Sequence, residues 1–319
     1  MGWSLVRYKG KNGQVSWGCA QGSDVFPLGV SADSLKALLT MGVPELARKA
    51  IQGQGEPLGG LELYSPVTAP CQIVCQGKNY LDHLLETGVL PKNKEHNLLF
   101  AKSDSSLAPA VGTIWRPEGV RLLDYEIELG LVISREISEP VEVNEFNLHE
   151  FVSGLVMAND ISARDVQVPE RQWFRGKSFR GFCPVGPYFY FMEREDFSRL
   201  YDLQLLLSVN GTVRQKATAA QLMHRPPETL KLISRSFDLR AGDLLLTGTP
   251  GGVSMRVKPP SRWQEIRDLW KSDKEKFQRF VEEQASSGRY LKDWDRIEAR
   301  IFTPDRSIDL GEQRLVVQG

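Results

Sequence analysis

The run Asp124-Tyr125-Glu126-Ile127-Glu128-Leu129-Gly130-Leu131-Val132-Ile133 constrains the fold more than any other stretch of this chain. It opens with acidic and apolar residues in alternation and then turns apolar throughout. Strand side chains alternate between two faces, so this pattern reads as a strand buried on both faces with an acidic entrance. Such a strand needs a packed layer on either side. The same form recurs in FVSGLVMAND (151–160), PVGPYFYFM (184–192), LQLLLSVNG (203–211) and DLLLTGTPGG (243–252), each an apolar run stopped by Asn, Asp or Gly. Asn210-Gly211 is a hairpin signal.

Helical spacing is rarer. Residues 31–52 carry apolar positions at helical period, with Ser31 or Asp33 as a cap and a break near Gly42–Pro44. KNYLDHLLETG (78–88) and AAQLMHRPPETLKLISRSF (219–237) read as helices between strands. Ahead of residue 30, SLVRY and QVSWGCA flank the turn GKNG and read as a hairpin. The Gly-rich joint GQGEPLGG and the Pro-punctuated LELYSPVTAP place a boundary near 65–72. The expected organisation is α+β: a small N-terminal domain, residues 1–70, and a second domain, 71–319, built on a mixed or antiparallel sheet. Its βα pattern is not the regular alternation of a dinucleotide-binding fold, and no G-x-G-x-x-G follows a strand. In 261–292, Trp263, Ile266, Trp270, Phe277 and Phe280 recur at a/d-like spacing, which reads as an amphipathic helix or helix pair. It packs on the body or on a partner subunit, or it covers a cleft as a lid.

Composition enters by exclusion. Forty Lys and Arg balance forty Asp and Glu, and no run of five like charges occurs, so neither nucleic acid nor an anionic membrane is an expected partner. No apolar stretch has the length of a membrane span, and the first residues lack the apolar core of a signal peptide. The four cysteines, Cys19, Cys71, Cys75 and Cys183, match no zinc spacing and read as reduced thiols of a cytoplasmic protein. With four histidines in all, a bound metal would be held largely by oxygen.

Glu126 and Glu128, two apart on a strand, project to one face, and Asp124 joins them if the strand starts early enough. Asp160 ends another apolar run. The arrangement is either a solvated strand face or a site for a hard divalent cation. His83 and Glu86, three apart on a helix, share a face. They form either a surface pair or an imidazole made more basic by a carboxylate, suited to act on water. Lys177, in FRGKSFRGFCPVGP, is a loop lysine or an oxyanion clamp. The loop 246–252, LTGTPGG, is a plain turn or an anion-binding set of backbone N–H groups.

In order, GKNYLDH (77–83), LLFAKSDSSL (98–107), DYEIELGLVI (124–133), ANDISARDVQ (158–167), GKSFRGFCPVGP (176–187), VNG (209–211) and LRAGDLLLTGTPGGV (239–253) resemble the fumarylacetoacetate hydrolase family. The resemblance spans about residues 73–258 and takes in the acylpyruvate hydrolase and 2-hydroxyhepta-2,4-diene-1,7-dioate isomerase branches. It implies a mixed β-sheet roll, a homodimer and a divalent metal, Mg²⁺ first and Mn²⁺ or Ca²⁺ as alternatives. It implies Glu126, Glu128 and Asp160 as metal ligands. His83 and Glu86 match a water-activating pair, and Lys177 contacts substrate. Tyr80, Lys102, Arg164, Gln167, Gly248 and Thr249 border the substrate. Two departures stand out: Lys102-Ser103-Asp104 replaces a common Lys-Pro, and 254–292 is a helical insertion relative to compact members.

The function this implies is C–C bond hydrolysis of a small 1,3-dicarbonyl acid, an acylpyruvate or a ring-cleavage product, by metal-stabilised enolate chemistry with His/Glu-activated water. The alternatives are an oxaloacetate-type decarboxylase, or an isomerase or hydratase of a 2-hydroxydienoate in aromatic catabolism.

Overall fold

In the computed structural model the strand Ile127–Ile133 is buried along its whole length, and it lies near the middle of a mixed sheet. The structure describes residues 1–11, 13–88, 96–257 and 271–319. On one side Ile127–Ile133 pairs antiparallel with Val152–Asn159, which pairs with Cys183–Phe191 and then with Trp3–Lys9. On the other side come Leu244–Leu246, then Ile73–Gly77 in parallel, then Leu98–Lys102 at the edge. This parallel step and that of Leu107–Pro109 on Cys183–Phe191 make the sheet mixed.

The period of two divides the central strands between two cores. Ile127, Leu129, Leu131 and Ile133 join Leu155 and Met157 in a core shared with Leu205, Ile297 and Leu315. These last three belong to a second sheet, Thr212–Thr218, Gln204–Val209, Arg296–Phe302, Asp309–Gln318 and Val111–Trp115 in that order. Val132, Val156 and Ala158 face the other way, onto Leu35, Leu38, Val43 and Ala47. Those residues come from the short helices Leu35–Leu39 and Val43–Ala50. Fully burying a leucine of this kind contributes about 1.5–3 kcal/mol, so these two helices are held by packing rather than by their own length.

The N-terminal strands are continuous with this architecture. Trp3–Leu5 pairs with Phe189–Phe191, and Leu5 and Trp17 lie in the same core as Phe189 and Leu244. The helix cap before Leu35 is Ser34, whose hydroxyl accepts the Ala37 N–H, rather than Ser31 or Asp33. The break at Gly42 is real, with φ of +77°. The helix expected over 219–237 begins only at Pro226 and runs to Ser234, because consecutive prolines suit a first turn and no later one. Asn210 and Gly211 both take positive φ, and they join Gln204–Val209 to Thr212–Thr218. Of the amphipathic stretch, Asp273–Ser286 is a helix whose Phe277 and Phe280 pack with Val281 against Leu122, Val253 and Met255. Trp263, Ile266 and Trp270 lie outside the described residues. Among the described residues no helix is long and apolar enough to cross a membrane. All four cysteines are free thiols.

Candidate active site

Antiparallel pairing assembles the acidic centre. Glu126 and Glu128 stand at the start of one strand, and Asp160 follows the end of its neighbour. Glu128 lies in register opposite Ala158, and the Asp160 N–H donates to the Glu126 carbonyl at 2.8 Å. All three carboxylates are on the face that Val132, Val156 and Ala158 bury further along. One oxygen from each lies within 4.8 Å of the others, and all three side chains are buried. Asp124 does not join them. It sits on a separate short pairing and accepts from Arg164 Nε at 2.9 Å and from the Ser254 and Met255 N–H groups.

Cations answer this charge unevenly. Lys177 Nζ reaches Glu126 Oε2 at 2.5 Å and also bonds Asp160. Lys102 Nζ donates to Asp160 Oδ1 at 2.5 Å and to the Phe182 carbonyl at 2.9 Å. Arg164 bridges Asp124, Glu126 at 2.5 Å and the Gln167 side-chain amide oxygen at 2.9 Å. Four buried carboxylates thus meet three buried cations. Burial opposes ionisation of Glu126, but Arg164 and Lys177 outweigh it and hold its carboxyl well below the usual range. Burial likewise disfavours the Lys177 ammonium, yet Asp160 and Glu126 keep its pKa above the ordinary lysine value. Glu128 is the exception. Among the described residues its carboxylate accepts from the Gly248 N–H at 2.8 Å and bonds no cationic side chain. Burial, with Asp160 and Glu126 beside it, pushes its carboxyl well up. Three converging buried carboxylates, one of them lacking a cation, form an all-oxygen donor set that fits a hard divalent metal.

Two glycines position the groups around this centre. Gly248 has φ of +89°, and a Cβ there would lie 2.9 Å from Asn79 Cβ and 3.0 Å from the Gln76 carbonyl. The turn after Leu244–Leu246 can therefore bring its N–H to Glu128 only as glycine. Gly176 lets the turn Phe174–Lys177 touch the helix Arg164–Glu170. A Cβ there would stand 2.8 Å from the backbone nitrogen of Gln167.

A narrow cavity opens on the carboxylates. Glu126, Glu128, Lys177, Arg164 and Gln167 line it, together with His83 and Thr249. Phe100, Trp173 and Met255 supply an apolar wall; the Phe100 and Trp173 rings meet edge to face at 5.0 Å, and Lys177 Nζ lies 5.3 Å from the Phe100 centroid. None of these three was singled out from the sequence, since an aromatic or Met at core spacing carries no sign of what it faces. Thr249 donates its hydroxyl to the Ile127 carbonyl and accepts from Gln215, which also takes the Ile127 N–H. Gln215 comes from the second sheet and was equally invisible.

Three other candidates do not line the cavity. Lys102 bonds Asp160 in the acidic cluster without reaching the cavity wall. Tyr80 is buried in the main core, and among the described residues its hydroxyl has no hydrogen-bond partner. Glu86 shares the helix Leu81–Glu86 with His83, but its nearest carboxylate oxygen is 4.0 Å from His83 Nδ1, beyond hydrogen-bond reach. Its carboxylate instead accepts the Gly252 N–H at 2.9 and 3.0 Å and the Arg256 guanidinium at 2.9 Å. His83 Nδ1 is buried and has no hydrogen-bond partner among the described residues.

Comparison with known proteins places this geometry. The family model described as fumarylacetoacetate (FAA) hydrolase C-terminal matches residues 72–318. The mitochondrial oxaloacetate tautomerase Fahd2a of Rattus norvegicus is 33% identical over 219 residues, 67% of either chain. The oxaloacetate tautomerase YisK of Bacillus subtilis is 34% identical over 205 residues, 64% of this chain and 66% of its own. The alignments thus span about two thirds of these relatives. A fumarylacetoacetate hydrolase from psychrophilic Exiguobacterium antarcticum superimposes with a TM-score of 0.75 at 27% identity, covering 99% of both chains. A probable 2-hydroxyhepta-2,4-diene-1,7-dioate isomerase from Mycobacterium abscessus does so at 0.74 and 26% identity, covering 100% of this chain and 98% of its own.

Proposed function

The chain belongs to the fumarylacetoacetate hydrolase family, and from that premise we propose that it is a divalent-metal enzyme interconverting the enol and keto forms of a small 2-oxo dicarboxylic acid of the oxaloacetate type. The observation that carries this is one cavity uniting Glu126 and Glu128, which with Asp160 form the acidic cluster, with buried Lys177 and buried His83. The tautomerase relatives supply the substrate class.

Glu126, Glu128 and Asp160 would hold the cation, Mg²⁺ in the first instance. When bound, it supplies a Lewis acid for the carbonyl of the 2-oxo acid. Lys177 stays an ammonium between Glu126 and Asp160, facing the cavity, and donates to oxygen that gains negative charge. Arg164 is committed to Asp124, Glu126 and Gln167, so it orients the ligand set and the Gln167 amide. His83 moves the proton. Tautomerisation moves one proton between the enol oxygen and the carbon next to the one that bears it, shifts the double bond, and breaks no C–C bond. Phe100, Trp173 and Met255 keep bulk water from the reacting carbon.

Hydrolysis of an acylpyruvate is the second reading, favoured by His83 and Glu86 on one helix face beside the cavity. Both readings are tested by following the ultraviolet absorbance of enol-oxaloacetate and of an acylpyruvate panel, with Mg²⁺ and with EDTA. Metal-dependent loss of the enol signal without carbon dioxide is the expected result. Lys177→Ala is expected to slow it by about 10²-fold or more. Metal-dependent release of two acids from an acylpyruvate, with oxaloacetate untouched, would replace tautomerisation with hydrolysis.

A further inference from the structure

We propose that Arg256 sets which reaction this site performs, by withholding Glu86 from His83. The inference rests on the tautomerase reading for the reaction it leaves in place. Glu86 has two possible partners. His83, three residues earlier on the same helix, stands at 4.0 Å with Nδ1 buried and unbonded. Arg256 stands at 2.9 Å, and the Gly252 N–H completes a second contact to the same carboxylate. The guanidinium is charged at every working pH and stands within hydrogen-bond distance, whereas the imidazole nitrogen does not, so arginine holds the carboxylate.

Arg256 is itself fixed from outside the cavity. Its side chain also donates to the Val253 carbonyl at 2.5 Å and to the Met255 carbonyl at 3.1 Å. Its backbone carbonyl accepts from Gln284 Nε2 at 2.8 Å, on the helix Asp273–Ser286, and Tyr290 donates its hydroxyl to Gln284 Oε1 at 2.8 Å. The backbone closes the same contact, because the Val257 N–H donates to the Glu86 carbonyl at 2.9 Å. The helix at 273–286 thus reaches Glu86 through Gln284 and Arg256.

The chemical consequence is selective. A methylene between carbonyl-bearing carbons is far more acidic than water, so unassisted imidazole serves for enol–keto exchange. Activating water asks for more. A carboxylate bonded to Nδ1 fixes the tautomer and stabilises the imidazolium that forms. In acylpyruvate cleavage, the water oxygen bonds to the distal carbonyl carbon. The bond from that carbon to the methylene then breaks, its electron pair stays with the methylene, and a proton returns there. The products are a carboxylic acid and pyruvate. Arg256 acts on this step through Glu86 and is a positioning residue.

The test compares wild type, Arg256→Gln, Arg256→Lys and the double variant Arg256→Gln/His83→Ala in two assays, enol-oxaloacetate ketonisation and acylpyruvate cleavage. Arg256→Gln is expected to raise cleavage roughly tenfold or more, with ketonisation within about twofold of wild type. Arg256→Lys keeps the wild-type ratio, and removal of His83 abolishes the gain. A loss of packing alone would lower both rates and leave their ratio unmoved, and that result overturns the proposal. So does unchanged cleavage in Arg256→Gln, or a wild type that already cleaves acylpyruvate as fast as it ketonises oxaloacetate. If wild type leaves oxaloacetate untouched while Arg256→Gln gains cleavage, the tautomerase reading fails and the role of Arg256 stands.

Discussion

At the scale of single residues, Glu128 carries the conflict between stability and function. It is buried against Asp160 and Glu126, and among the described residues its carboxyl group bonds only the Gly248 N–H. Its folded pKa is raised, so the stability linked to it is complete at low pH and is lost as pH rises through that value. Glu128→Gln keeps the shape and the acceptor for Gly248 while removing the charge. In EDTA the variant is expected to melt above wild type at neutral and alkaline pH. The gap closes as pH falls toward the ordinary carboxylate range of about 4. Added Mg²⁺ should raise the wild-type Tm and leave the variant unmoved. Thermal melts across pH, with and without metal, check this; a variant melting no higher in EDTA would remove the charge argument. That Glu126 and Glu128 share a face was legible from their spacing. That Glu128 alone lacks a cation was not, because Lys102, Arg164 and Lys177 reach the cluster from three separate elements.

At the scale of elements, the site depends on the contact between Arg164–Glu170 and Phe174–Lys177. Gly176 permits that contact with 2.8 Å between its virtual Cβ and Gln167. Gly176→Ala pushes the two apart and moves Lys177 from Glu126 and Asp160. Overpacking of this kind costs about 1–3 kcal/mol. The expected outcome is a lower denaturation midpoint together with a fall in kcat larger than any rise in KM, read by urea melts and steady-state kinetics. Intact kcat in a folded variant would show that Lys177 tolerates the shift. The sequence marks Gly176-Lys177 as a loop pair with a candidate clamp. The close packing against Gln167 is a tertiary fact, since Gln167 and Gly176 stand nine positions apart along the chain.

At the scale of the whole molecule, the N-terminal strands and helices close the sheet that carries the site. Trp3–Leu5 covers the edge of Cys183–Phe191, and Leu35 and Leu38 bury Val132 and Val156 from above. A fragment of residues 71–319 would expose that strand edge and that apolar face together. It is expected to aggregate or to bind a hydrophobic dye strongly, whereas the full chain does neither. Size-exclusion chromatography and dye fluorescence decide it, and a monodisperse, metal-binding fragment would show that the remaining sheet is self-sufficient.

The local pattern of this sequence determines its strands, the acidic entrance at Glu126 and Glu128, the Asn210-Gly211 hairpin and the family, because period-two burial and turn chemistry act between near neighbours. The lengths of its helices were less legible, as Pro226 shows, because a proline pair ends as well as starts a periodic pattern. Tertiary structure alone decides the partners. Antiparallel pairing brings Asp160 to Glu126, Lys102 bonds Asp160, and Asp124 turns to Arg164. It also decides that Glu86 faces Arg256, 170 residues away, instead of His83 on its own helix. Charge pairing depends on distance and burial in space, and neither is a function of spacing along the chain.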